Sequence, residues 1–529
     1  MSRLDVRERT GVRAHFWTPV FCTPRLVWAL SSVVLLAALL RLPLLQANRF
    51  HPDEARYAYF SRQIASGRDP WLHAEVVDKP PLPFYLTAGS FALFGASEFS
   101  ARLPSLAASL VTVALVARLA RALYPSASLA LPIASGLFLG LSPFVIQFSP
   151  TLFPDPLLVA FSAWALERAA RKRWGWMGVA LGLAFACKQT TLLMLPLALA
   201  LSIVCDPSPL KLPGNLARAA LGLVLFVAVV FLWDWLRDGP IPFWQQGFWD
   251  NQPGRLIWAT EVLPRFSALV GLLGYFAPSL AFQILVGLGV VLLTGKALRT
   301  QDSAALVDLT LLAYTAAYLG GYWLLAFNLW DRYLVLLAPV LVILAARAFD
   351  QLVRFVFAFA RGSDDFSRWR QGRMKSSLRL GAVSRSTITL LPALLLLAPA
   401  WNAAKSAYPI GGDFGAYDGI DRLAARVREL PQGSVLYDHW LGWELSFYLY
   451  DGPVYISWFP TPGALTEDLL AFGQASPRFL AAPAWESTTE IEAAAADSGF
   501  AAERIFETSR RDGTRSFVLF ELVSAQGSP

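Results

Sequence analysis

The stretch FHPDEARYAYFSRQIASGRDPWLHAEVVDKPPL, residues 50–82, decides how this chain is read. It follows the first long apolar run, yet it is dense in charge and proline. Two features stand out: Asp53-Glu54 with Arg56-Tyr57 directly behind, and Asp78-Lys79 set before the rigid pair Pro80-Pro81. Pro52 suits a first helical position, acids suit a first turn and Gly67 suits a stop, so a short helix is predicted from about Asp53. Helical spacing then lays Arg56 and Tyr57 over the face of Asp53. Taken alone, Asp53 and Glu54 read equally well as acids that settle the helix dipole.

The rest of the chain places this polar stretch between membrane segments. Of 529 residues, 55% are hydrophobic and 16% charged, against about 25% charged in an ordinary soluble domain; the mean hydropathy is +0.47. The net charge of +7 does not point to nucleic acid, because the bases cluster between apolar runs, the positive-inside pattern of an integral membrane protein. Cys22, Cys187 and Cys205 lie in or beside apolar segments and imply no disulfide framework. The run from Arg25 to Leu45 is long enough to span, and no small-residue cleavage site follows, so it reads as an uncleaved first helix.

Alternating basic and base-poor loops organise about eleven transmembrane helices. Residues 1–24 form an Arg-rich cytoplasmic segment. Residues 25–402 form the membrane domain, whose first outer loop is 46–100, with 83–95 lying at the interface. The later segments fall near 101–122, 127–147, 152–170, 174–187, 190–205, 217–236, 275–295, 305–326, 334–349 and 387–402. The short pieces 174–187 and 190–205 either both cross or form one re-entrant hairpin. An odd count puts residues 403–529 outside, as a soluble α/β domain in which five strand-like runs alternate with helix-like stretches. The fold class is therefore a polytopic α-helical membrane protein with a C-terminal extracytoplasmic α/β domain. No nucleotide-binding glycine fingerprint, Walker loop or internal repeat is present.

The motif DEARYAYF after the first membrane helix, followed by DKPPL, resembles the first outer loop of the GT-C polyprenyl-phosphate-sugar-dependent glycosyltransferases. That family includes protein O-mannosyltransferases and lipid A aminoarabinose transferases. The resemblance covers roughly residues 25–350. It implies inverting transfer of a sugar from a polyprenyl-phosphate donor to an extracytoplasmic acceptor (lipid, glycan or protein) in the plasma membrane. In that family the Asp of the DE pair is the essential carboxylate, here Asp53. The second catalytic acid falls on Asp155, in SPTLFPDPLL at the start of the fourth segment; an acid there reads otherwise as a first-turn residue between two prolines.

The same resemblance makes Lys79 the leading phosphate binder, otherwise a snorkelling interface lysine. It assigns Lys188, in FACKQTT, to the donor phosphate, although Gln189 stands where the family has glycine. Arg332, in WDRYLVLLAP, either contacts phosphate or pairs with Asp331. Glu54, Arg56 and Tyr57 complete the substrate-binding set, with Arg56 and Tyr57 holding Asp53 or touching substrate. Arg255 is a weaker candidate. No metal site is assigned; a divalent cation stays open as a cofactor, with Asp78 and His51 as its candidate ligands. Trp71, Trp244 and Trp249 stand in outer loops, where a membrane-interface belt explains them as well as sugar stacking does. The alternative reading is a lipid-linked substrate transporter or flippase, against which the charges gather in outer loops and leave the midplane apolar.

Overall fold

The computed structural model describes residues 24–252, 254–300, 302–360, 388–412 and 415–524. The arginine-rich segment 1–23 and most of the basic loop from Arg347 to Arg385 lie outside the described residues. Six helices are long and apolar enough to cross a membrane: Leu26–Leu45, Glu98–Leu123, Pro209–Arg237, Leu280–Ala297, Ser303–Leu324 and Asp331–Ala360. The five other segments expected to span are also helical, but Ala130–Leu141, Trp174–Phe185, Gln189–Cys205 and Ile388–Ala404 are shorter. The fifth, Asp155–Ala170, is buried over most of its length. Six of the eleven expected spans thus meet the length criterion. Leu82–Phe94 is a short apolar helix.

One region departs from the sequence expectation. Residues 237–265 were expected to form a loop and 275–295 a helix. Instead Phe243–Asn251 and Val262–Gly274 are helical, and the next helix starts only at Leu280. Pro278 and Ser279 supply the break: the Ser279 hydroxyl caps the new helix by accepting from the Phe282 amide. The Pro264-Arg265 pair disguises the helix 262–274, yet proline is tolerated in a first turn, and Arg265 bonds the carbonyls of Trp323, Tyr322 and Leu325.

Two packing devices hold the helical bundle together. Helices Trp174–Phe185 and Leu212–Arg237 cross so closely that a Cβ on Gly178 would stand 2.0 Å from the Ala219 carbonyl oxygen, a small-residue contact of the kind that lets membrane helices approach. Arg41, fully buried, donates to the carbonyls of Ala37 and Gly140 and to the hydroxyls of Ser109 and Ser149. A buried cation must be bonded throughout; here the bonding ties helix Pro24–Arg41 to the segment that leads into Asp155.

The C-terminal region holds a five-stranded sheet: β1 Val435–Asp438, β2 Tyr455–Trp458, β3 Arg478–Pro483, β4 Phe500–Ser509 and β5 Arg515–Ser524. The order is β2-β1-β3-β5-β4, with β1 parallel to β2 and β3, and β5 antiparallel to β3 and β4. All five strand-like runs of the sequence become these strands. Alternation divides the core. Leu436 and Phe479 pack under helix Ile420–Val427, while Tyr437 and Leu480 face Leu465 and Ile491 on the other side. Helix Gly442–Tyr448, which the sequence reading left out, follows β1 and packs on helix Pro52–Ser66 through Trp443, Tyr59 and Phe60. The domain therefore sits directly on the DEARYAYF loop.

Asp438, at the end of β1, is buried. One carboxylate oxygen accepts from the Trp440 and Leu441 amides and the other has no hydrogen-bond partner among the described residues. Burial pushes its pKa up to about 6. An acid whose folded pKa is raised above its unfolded value weakens the fold as pH climbs through that window. Stability is thus expected to fall between pH about 4 and 6 by up to about 3 kcal/mol. Asp438→Asn keeps the amide bonds and removes the cost. Denaturation at pH 5 and pH 8 should show the variant gaining more at pH 8, and an equal gain at both would refute the account.

Candidate active site

Helix Pro52–Ser66 forms where the sequence placed it. His51 caps it, accepting from the Asp53 amide at 3.2 Å, and Glu54 reaches back to the His51 amide at 3.2 Å. Gly67, at φ +73°, ends it. The reciprocal cap leaves Asp53 pointing outward from the first turn while Glu54 turns inward.

Asp53 meets Arg332, whose guanidinium donates at 2.5 Å. Arg332 does not pair with Asp331 through its side chain. Asp331 accepts from the backbone amides of Arg332 and Gly411 instead, at 2.8 and 3.1 Å. Burial pushes the Asp53 pKa up, but the charge and hydrogen bond of Arg332 outweigh it and hold the carboxyl below the usual range. Asp155 opens helix Asp155–Ala170 and is buried. Lys188 donates to both of its oxygens, at 2.7 and 2.9 Å, and stands 4.8 Å over the Tyr333 ring. Burial brings the Lys188 pKa down to about 8. The aromatic contacts of Arg332 join the two pairs: its guanidinium lies 4.9 Å over Phe153, two residues before Asp155, and 5.9 Å over Tyr333.

Lys79 is buried and ion-paired with Asp78. The sequence reading had Arg56 holding Asp53 or touching substrate; its guanidinium runs not to Asp53 but to Asp78 at 3.7 Å and to the Val76 carbonyl. Tyr57 is buried against Phe84. Glu54 was expected to touch substrate, but it is buried and its oxygens are engaged within the chain. Arg102 holds it at 3.0 and 3.2 Å, and the Leu152 amide donates at 2.7 Å. Since Leu152 precedes Asp155 by three residues, Glu54 ties the helix of Asp53 to the start of the helix of Asp155. Glu54→Gln retains an acceptor but loses the charge facing Arg102. It is expected to cost about 2 kcal/mol of stability, read as a lowered Tm; an unchanged Tm would show that the clamp carries no energy.

Arg255 pairs with Glu261 at 2.7 Å on an exposed loop, away from this cluster. Trp71, Trp244 and Trp249 are exposed. Asp78 does not suit a divalent cation: Lys79 and Arg56 already contact it. Among the described residues no group of three or more His, Cys, Asp or Glu side chains gathers to hold one, and the Nδ1 of His51 is occupied by the Asp53 amide.

Four residues to which the sequence reading gave no role complete the arrangement. Arg102 holds Glu54, and Gln189 donates to the Asp78 carbonyl at 2.9 Å, docking the Lys188 turn on the DKPPL loop. Gly247 of helix Phe243–Asn251 lies against both, since a Cβ there would stand 2.6 Å from each. Tyr333 donates to Asn251 of the same helix at 2.5 Å.

Comparison with known proteins gives this geometry a setting. The ArnT crystal structure from Cupriavidus metallidurans in the apo state superposes with a TM-score of 0.63 over 94% of this chain and 97% of that one, at 18% identity. The chain has the GT-C fold. A second ArnT structure from the same organism, bound to undecaprenyl phosphate, gives a TM-score of 0.60 at 18% identity over 94% and 98% of the two chains. The Archaeoglobus fulgidus oligosaccharyltransferase gives 0.50 at 13% over 94% and 74%. The family model for dolichyl-phosphate-mannose-protein mannosyltransferase matches residues 78–233. The undecaprenyl phosphate-alpha-4-amino-4-deoxy-L-arabinose arabinosyl transferase of Pectobacterium atrosepticum is 30% identical over 237 residues, 41% of each chain. The counterpart from Pseudomonas paraeruginosa is 28% identical over 227 residues, 39% of this chain and 40% of that one. This chain thus aligns with about two-fifths of the length of these curated relatives.

Proposed function

We propose that this protein is an integral-membrane glycosyltransferase that moves a sugar, with inversion, from a polyprenyl-phosphate donor to an acceptor outside the cytoplasm. The observation that carries the reading is the pairing of two carboxylates with two cations at one end of the helical bundle, Asp53 with Arg332 and Asp155 with Lys188, beside Lys79. It is supported by the GT-C fold and by the activity named for the curated relatives. The orientation rests on charge: N-terminus cytoplasmic, first loop and C-terminal domain outside, in a plasma membrane.

In this reading Asp53 takes the acceptor hydroxyl proton as the acceptor oxygen bonds to the anomeric carbon. The anomeric carbon–oxygen bond breaks and the electron pair leaves with the polyprenyl phosphate. Arg332, Lys188 and Lys79 stabilise that departing charge. A carboxylate of lowered pKa serves as base here because the sugar carries oxocarbenium character, which acidifies the incoming hydroxyl late in the step. Arg332 has two calls on its charge, Asp53 and the donor phosphate, so a bound donor draws it off the carboxylate and raises the basicity of Asp53. Asp155 orients Lys188, Glu54 and Arg102 hold the frame, and Asp78 with Arg56 holds Lys79.

The test is transfer of labelled sugar from a panel of polyprenyl-phosphate sugars in membranes expressing the protein. At least one donor is expected to be consumed, with product of inverted anomeric configuration. Folded protein that consumes none of them in the presence of a broad acceptor extract would overturn the reading.

A further inference from the structure

A groove of about 550 Å³ opens between the start of helix Glu98–Leu123 and the C-terminal domain, and nothing in the proposed transfer step uses it. Arg49 and Arg62 of the first loop and Arg428 of the C-terminal domain face into it, against the single lining carboxylate of Glu98. Arg49 is met by Glu98 at 2.8 Å and by Asp421 at 3.5 Å, and Arg62 by Asp451 at 3.1 Å. Arg428 bonds the Tyr448 carbonyl and, among the described residues, has no carboxylate within ion-pair distance. The lining therefore gathers three guanidinium groups from two parts of the chain far apart in sequence, and that of Arg428 meets no carboxylate among the described residues.

The surroundings say what kind of anion belongs there. Glu98 opens a helix long and apolar enough to cross a membrane, which puts the groove at the polar end of a span. Phe99 is exposed in the lining, and Leu93 and Phe94, five and four residues before Glu98, are exposed on the short apolar helix. Guanidinium groups above and bare apolar side chains below match an amphiphile whose phosphate sits among the arginines and whose chains run along the helix. A free phosphate would use only the upper half. The groove is also separate from the carboxylate–cation pairs: none of Asp53, Arg332, Asp155 and Lys188 lines it.

We infer that this groove is a binding site for the headgroup of an anionic phospholipid, distinct from the donor site. The inference does not depend on the transfer reaction, since binding is measured without turnover. The full-length protein in neutral detergent is titrated with short-chain phosphatidylglycerol, with phosphatidylcholine of the same chains, and with inorganic phosphate, followed by native mass spectrometry. Phosphatidylglycerol is expected to bind about tenfold or more tighter than either of the others, and Arg62→Gln with Arg428→Gln to remove that margin. Because both arginines also bond backbone carbonyls, Ala96→Trp gives an independent arm. It fills the groove from an exposed loop position and is expected to weaken phosphatidylglycerol to the level of phosphatidylcholine. Undiminished binding in both variants would overturn the site. Inorganic phosphate binding as tightly as phosphatidylglycerol would replace it with a small-anion pocket, and phosphatidylcholine doing so with adsorption on the apolar surface.

Discussion

Asp53→Asn is expected to lower sugar transfer by about three orders of magnitude while leaving the protein folded. The substitution is nearly isosteric, and the amide oxygen still accepts from Arg332, so the contact that fixes the first turn survives. What disappears is the charge that takes the acceptor proton. The cation left behind is not stranded: the Arg332 side chain is 17% exposed and that of Asp53 33% exposed, so water reaches the pair and the stability cost stays small. Freed from its carboxylate, Arg332 becomes more available to the donor phosphate. The loss should therefore fall on kcat, with the donor KM unchanged or lower. Initial rates over a donor series, with circular dichroism as the control for folding, give the answer. A kcat within tenfold of wild type would remove Asp53 from the role of base. A raised KM with kcat intact would make it a binding residue.

Much of this site was legible because local rules governed it. Pro52, the acids at 53 and 54 and Gly67 mark the ends of a helix whatever surrounds it, and β-strand alternation announced the five strands of the C-terminal sheet. The partners of the charged residues were another matter. Spacing along one helix set Arg56 beside Asp53, yet the cation on Asp53 comes from residue 332, 279 positions away, and Arg56 turns to Asp78. Helical periodicity states which residues share a face and is silent on which distant segment that face meets. Glu54 shows the same limit: next to Asp53 in sequence, it points into the bundle because Arg102 and the Leu152 amide wait there. The resemblance brought Asp155 and Lys188 into one argument as separate candidates, and only the packing of helix Asp155–Ala170 against helix Trp174–Phe185 makes them one ion pair. Helix Val262–Gly274 was missed for a local reason, a proline in its first turns that reads as a loop.

Lys188→Met is expected to cost more than its own phosphate contact. Asp155 would remain buried with its only ion-pair partner among the described residues gone, a loss of about 3 kcal/mol or more in stability, along with a fall in transfer of about two to three orders of magnitude. Since the unfolded and inactive outcomes can be confused, pH separates them. Burial holds the Lys188 pKa at about 8, below the unfolded value of about 10.4. Between these values the unfolded chain binds more protons at this position than the folded one does, so this group's contribution to stability rises as pH rises. Its contribution to phosphate binding runs the opposite way, because the cation is lost above about pH 8. Transfer should therefore decline above that pH while the Lys188 term, taken alone, makes the fold no weaker. Lys188→Arg keeps the charge at every accessible pH and should carry activity to higher pH than wild type, at whatever reduced level its larger head permits. An alkaline limb unchanged by Lys188→Arg would mean that another group titrates there, and Lys188 would then be a structural partner of Asp155 only.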